Sequence, residues 1–259
     1  MLSDEFARSS ALHAARTLLH LRLAEADGAA PERIAHRLDG FAWEPLPGDG
    51  LKLRCAIARW ENAGGARLFI RYFTFRAGPG GGELAEDATG VADESLPDPF
   101  EPTWAVNRVR AFAHRWLWVW ENLRDVSAFE ELLADENLDL RLRAGEALRT
   151  RAAFEQAARA LDAGVGATHH VLAALGVDAK PACYAVRADV EWRGCSTGGT
   201  PLRARTRHAW ELIETGERYP RLRRLRVELA EPLRAAVDDE ARGPRIANAP
   251  SDDAEAGGP

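Results

Sequence analysis

Residues 157–175 read AARALDAGVGATHHVLAAL, and the state assigned to them decides the fold. Alanine and leucine on both flanks favour helix, and the glycines of DAGVG (162–166) punctuate the run. The spacing predicts two helices joined by a tight turn. The first runs from Thr150 through Leu161; the second starts near Thr168, stops at Gly176, and turns Leu172 and Leu175 inward. An αα-hairpin packed into the core is the alternative.

Working towards the C-terminus, CYAVRADVEWRG (183–194) and PLRARTRHAWEL (201–212) flank CSTGGT and alternate with period two. This predicts a β-hairpin with Tyr184, Val186, Ala188, Val190 and Trp192 on one face, joined there by Leu202, Ala204, Thr206, His208 and Trp210. The expected register sets Glu191 against Arg203, Asp189 against Arg205, and Arg187 against Arg207. A closing helix is expected after Pro220, with Leu222, Leu225, Leu229 and Leu233 inward, Arg221, Arg223, Arg224 and Arg226 beside them, and a break at Pro232.

Two helices followed by a hairpin resemble a helix-turn-helix with the wing of a winged-helix domain. That resemblance implies Arg203, Arg205 and Arg207 near phosphates, and Thr168, His169 and His170 facing a groove. The sequence departs from the pattern in ATHHVLAALG, which has no Arg, Lys, Asn or Gln to fork onto a base edge.

Working back, TWAVNRVRAFAHRWLWVWENL (103–123) predicts a long helix, apolar on most sides and therefore buried. Ser127 and Glu130 form a capping box for a short helix, while residues 137–150 fit strand or helix. At the N-terminus, Ser3 starts a helix ending near Gly28, and PERIAHRLDG (31–40) reads as a short helix. LKLRCAIARW and ARLFIRYFTFRAG, around ENAGG, then predict a first hairpin.

Charge divides the chain. Residues 77–103 hold seven acids and no base, and read as a flexible linker; residues 238–259 read as a disordered acidic tail. Their removal turns the net charge of −6 into about +5 on 1–76, an N-terminal lobe of helix plus hairpin, and 104–237, a helical body with the second hairpin. Lysine occurs at Lys52 and Lys180 alone, so the positive charge is mostly arginine, suited to forked contacts with carboxylate or phosphate. Three cysteines without C-x-x-C spacing fit a reducing cytoplasm, and the apolar run WLWVW is too short for a membrane span.

Arg-x4-His occurs at Arg8…His13 and Arg203…His208, a spacing similar to the ribonuclease motif of HEPN domains. That resemblance implies metal-independent RNA cleavage by a helical dimer. Adjacent His169 and His170 would diverge by about 100° on a helix and could not easily share a metal. No P-loop, G-x-S-x-G or H-E-x-x-H is present. The sequence thus predicts a helix-rich α+β protein with two hairpins and a winged-helix-like C-terminal half. The function expected is non-catalytic binding of DNA or RNA through Arg203, Arg205, Arg207, Arg221, Arg223 and Arg224. The alternatives are a protein-interaction subunit meeting an acidic partner and the HEPN-like ribonuclease. Neither cofactor nor metal is expected.

Overall fold

The computed structural model describes residues 4–29, 35–47, 50–61, 65–78, 82–93, 104–122, 126–142, 147–162, 165–196 and 200–235. Strands dominate: among the described residues, nine strands accompany three α-helices. The helix-rich, winged-helix expectation is therefore corrected to a protein of two sheets, antiparallel but for the short parallel pair of the strands Asp139–Arg141 and Arg221–Ala235, each packed on a helix.

The first sheet is a meander of β1 (Ala35–Leu46), β2 (Gly50–Glu61), β3 (Gly65–Arg76) and β4 (Glu83–Asp93), covered by α1 (Asp4–Ala29). The β2–β3 hairpin forms as its alternation predicts, with Leu53 opposite Phe73 and Leu51 opposite Phe75. These residues, Cys55 and Ile57 form a core with Ala15, Leu19 and Leu23 of α1. The expected short helix at 31–40 is instead strand from Ala35, because its alternating residues pair with β2. Acidic residues 83–93, expected in a flexible linker, form β4. There Glu86 engages Arg71, and Thr74 donates to Asp87 at 2.7 Å. The rest of that segment's acids and the acidic tail fall outside the described residues.

The second sheet has the order β5-β9-β8-β7-β6: β5 (Asp139–Arg141), β6 (Val165–Lys180), β7 (Cys183–Ser196), β8 (Pro201–Ile213) and β9 (Arg221–Ala235). Helix α2 (Trp104–Glu121) packs its Val109, Phe112, Trp116 and Val119 on the sheet's inner face, with α3 (Arg151–Asp162) adding Phe154. Trp116, 1% exposed, contacts Phe112, Phe129 and Phe154 through ring centroids 5.1–5.9 Å apart. The four-tryptophan helix is thus a core element. Ser127 closes a 3-10 turn instead of capping a longer helix, with Glu130 N–H donating to its carbonyl at 2.8 Å.

Both helices expected around this sheet's edges are strands. β6 pairs with β7 along nearly its whole length, and a bulge at Leu172/Ala174 inserts one residue between inward positions. Leu172 and Leu175 therefore share a face although three residues apart, which mimics helical spacing. A register shift beside Leu212 does the same to Leu222 and Leu225 of β9. Pro232 falls at a register shift of the β8–β9 ladder, between Glu231 and Arg234, an irregularity where a missing N–H is tolerated. The β7–β8 hairpin keeps its expected faces, but its register slides by two: Glu191 opposes Arg205, Asp189 opposes Arg207, and Arg193 opposes Arg203.

Candidate active site

The outer face of the second sheet settles the arginine row. Arg203 lies 3.9 Å from Glu231, and Arg205 and Arg207 lie 3.2 and 3.9 Å from Asp189. Arg221 pairs with Glu217 at 2.5 Å, Arg224 with Glu211 at 3.1 Å, and Arg223 with Glu211 as well. The helix-turn-helix does not exist, since Thr168, His169 and His170 belong to β6. The nucleic-acid reading is withdrawn on this geometry, and so is the acidic protein partner, whose counter-charges the sheet itself supplies. The ribonuclease reading goes with them. Five residues apart on one strand, Arg203 and His208 point to opposite faces. The side chain of Arg8 lies outside the described residues.

The structure instead gathers groups that the sequence kept apart. Helix α1 runs antiparallel to α2: His13 meets Glu121, His20 meets His114, and Asp27 meets Arg110. Near the end, a Cβ on Gly28 would come within 2.9 Å of the Ala111 Cβ, so the helices touch backbone to backbone there. Positions 13, 17, 20, 24 and 27 of α1 alternate steps of four and three, the spacing of a helix–helix seam. Here that seam is polar: histidine, threonine, histidine, alanine, aspartate.

All seven histidines of the chain fall on one line through this seam. His208 on β8 lies within electrostatic reach of His170 on β6. His170 donates its backbone N–H to Glu121, and its Nδ1 lies 3.7 Å from the same carboxylate. His13 Nε2 is 2.8 Å from Glu121 Oε1, and a carboxylate can only accept, so the imidazole donates. His169 stacks on His13 with centroids 4.2 Å apart, and His20 on His114 at 5.3 Å. Arg110 and Asp27 continue the line to His36, whose Nδ1 lies 2.7 Å from Asp27.

Burial sets the charge states. It lowers His20, His169 and His208 to about 4, helped by Arg16 beside the first, His13 beside the second and His170 beside the third. His114 is pushed well below its ordinary value, first by burial and then by His20. For Glu121, burial acts to raise the pKa, yet the hydrogen bonds from His13 and His170 outweigh it and hold the carboxyl at about 2. At neutral pH the rings of His20, His114, His169 and His208 are thus neutral, and the Glu121 carboxylate on the same line is ionised.

The line ends on the inner face of the second sheet, beyond the part α2 covers. At the deep end Trp210 and Leu225 are buried against Phe112, whose ring centroid lies 5.6 Å from that of Trp210. Further along the strands the inward residues Trp192, Ala204, Thr206 and Val227 are half-buried, and Leu229 is 61% exposed. Thr206 Oγ1 lies 3.3 Å from the Val190 carbonyl and 2.9 Å from His208 Nε2. With the hydroxyl proton given to the carbonyl, His208 donates from Nε2 and keeps a lone pair on Nδ1. His208 Nδ1, His170 Nδ1 and Trp210 Nε1 are buried polar atoms that make no hydrogen bond among the described residues. Buried polar groups are nearly always paired, so three such atoms on one inner wall set it apart from the rest of the sheet.

Of the residues predicted from sequence, His169 and His170 belong to this site, in a different role; Thr168 lies nearby on β6, and the six arginines lie on the opposite face or at its rim. Sequence reasoning missed His13, Glu121 and His208 as a set. The available signal was the polar 4-3 spacing on α1, matched by Arg110, His114 and Glu121 on α2. Among the described residues no group of three or more His, Cys, Asp or Glu has the geometry to hold a metal ion. No helix of the described chain is long and apolar enough to cross a membrane.

No family model matches the chain, and no curated protein does either. Several solved structures are similar in part. A hexachlorocyclohexane dehydrochlorinase (LinA type 2) is 12% identical and aligns over 56% of this chain and 93% of its own, with a TM-score of 0.44. A nuclear transport factor 2-like superfamily protein from Salmonella enterica is 10% identical over 49% of this chain and 91% of its own, at a TM-score of 0.41. A Caulobacter vibrioides protein with a cystatin-like fold is 14% identical over 49% and 91%, at 0.42.

Proposed function

We propose that the chain is a small-molecule enzyme of the acid–base class. It seats a largely apolar molecule bearing an oxygen function on the uncovered half of the second sheet's inner face, and moves a proton on it, as in an elimination or isomerisation. The observation that carries this reading is the convergence of His170 and His208, each with an orphaned buried Nδ1, beside an ionised buried carboxylate.

Glu121 orients the His170 ring and stabilises the imidazolium that forms when the ring takes a proton. The low proton affinity of His208 makes it a poor base but keeps the ring neutral, with a lone pair that can accept, and Trp210 Nε1–H is a donor beside it. Together these two hold a hydroxyl or carbonyl of the guest. Trp192, Val227 and Leu229 supply the apolar wall that excludes water and strengthens these contacts. A reducing cytoplasm suits the three free thiols Cys55, Cys183 and Cys195.

A generic substrate tests the reading. In 5-nitrobenzisoxazole a base removes the C3 proton, the N–O bond breaks, and a coloured nitrile phenolate forms. The protein should open it with saturation kinetics, and Glu121→Gln and His170→Gln should each lower kcat by about 10²-fold. A wild-type rate no greater than that of free imidazole at equal concentration sinks the proposal.

A further inference from the structure

We propose that His13, on the helix of the first sheet, is a positioning residue for the second sheet's site: it keeps Glu121 ionised and aimed at His170, so that neither half of the chain completes the site alone. This rests on the acid–base reading above, but the experiment below separates the two.

Glu121 is the last residue of α2, where the helix carbonyls make the local potential negative. Its side chain is only 8% exposed. Both facts favour the protonated acid. What opposes them is a set of donors, of which His13 is, among the described residues, the one side chain supplied from outside the second sheet and its helix. Its ring is held on three sides: Nε2 is 2.8 Å from Glu121, Thr17 Oγ1 is 3.2 Å from the same nitrogen, and His169 stacks flat at an interplanar angle of 13°. His169 and His170, adjacent on an edge strand, point to opposite sides. One clamps His13 while the other meets Glu121, so a shift of His13 reaches the reacting ring through two contacts. The charged and titratable groups facing this carboxylate and its clamp are His13 and His20 from α1, His169 and His170 from β6, His208 from β8 and Arg193 from β7. None but His13 both touches the carboxylate and belongs to the first half.

The test reads Glu121 directly. The carboxyl carbons of ¹³C-labelled glutamate are followed by NMR against pH in the full chain, with Glu121→Gln identifying the resonance. In His13→Leu the Glu121 titration should move up by at least one pH unit. In His13→Gln, whose amide can still donate, it should stay near wild type. The acid limb of 5-nitrobenzisoxazole opening should move with it in His13→Leu and recover in His13→Gln. An unmoved Glu121 titration in a folded His13→Leu protein overturns the inference. Should His13→Leu fail to fold, an upward shift in His13→Gln comparable to one in His13→Ala overturns it equally, because the donor would then be irrelevant. A shifted carboxylate without wild-type turnover upholds the clamp and rejects the acid–base reading instead.

Discussion

Thr206 shows how much one hydroxyl settles. It bridges the Val190 carbonyl and His208 Nε2, fixing both the ring's orientation and which nitrogen keeps its lone pair. Thr206→Val keeps the volume but leaves a buried N–H without an acceptor. Stability should fall by about 1–3 kcal/mol, read as a lower urea midpoint at an unchanged slope. Trp210 offers the complementary experiment. Its indole N–H makes no hydrogen bond among the described residues, so Trp210→Phe should raise KM for an oxygen-bearing substrate and leave kcat less affected. Equal losses in both constants would mean that the indole acts in the reaction itself.

At the scale of elements, the bulges of β6 and β9 carry consequences beyond their length. The extra residue in β6 lets Leu172 and Leu175 both face the core while His170 stays inward beside Trp192. Deleting Ala173 removes the bulge and leaves Leu172 and Leu175 two residues apart, so both should stay inward and His170 should keep its direction beside Trp192. The expected outcome is a folded protein with near-normal far-ultraviolet circular dichroism and retained acid–base turnover; lost turnover would mean that the local twist of the bulge positions His170. Helix α2 sets the other limit. Trp116→Ala removes the centre of an aromatic cluster, and about 3–5 kcal/mol of stability should go with it in a thermal or urea melt.

At the scale of the molecule, the histidine line makes the junction of the two halves sensitive to acid. His20, His169 and His208 have folded values of about 4 against an ordinary 6.5, so protonation favours the unfolded chain. Their contribution is fully present above pH 6.5 and is lost as pH falls towards 4. Each costs about 1.4 kcal/mol per pH unit over that span. Glu121, held at about 2, adds a loss that begins only below its ordinary 4.5. Melting temperature should therefore be flat from pH 7 to 8 and fall steeply between 6 and 4. Replacing stacked His20 by Phe should flatten that fall; an unaltered pH dependence would show that the seam stays neutral or opens for another reason.

Parts of the fold were legible because they depend on local periodicity. The first helix, the tryptophan-rich helix, the β2–β3 pair and the faces of the β7–β8 pair follow from residues that repeat at 3.6 or 2. β6 and β9 were not legible, because a bulge between two leucines gives strand residues the spacing of a helix, and strand pairing is known only once the partner is in place. The site was hidden for a related reason. His13 and Glu121 are 108 residues apart, and polar residues on a helix face look solvated until a second polar helix lies against them.

By itself, then, the amino-acid sequence determined which stretches are periodic, where glycine and proline interrupt them, and which side chains share a face. The tertiary structure alone decided that the arginines outside are neutralised and that the histidines inside converge. Charge pairing and burial depend on distance through space, and a one-dimensional pattern fixes that distance only within a turn of helix or a pair of neighbouring strands.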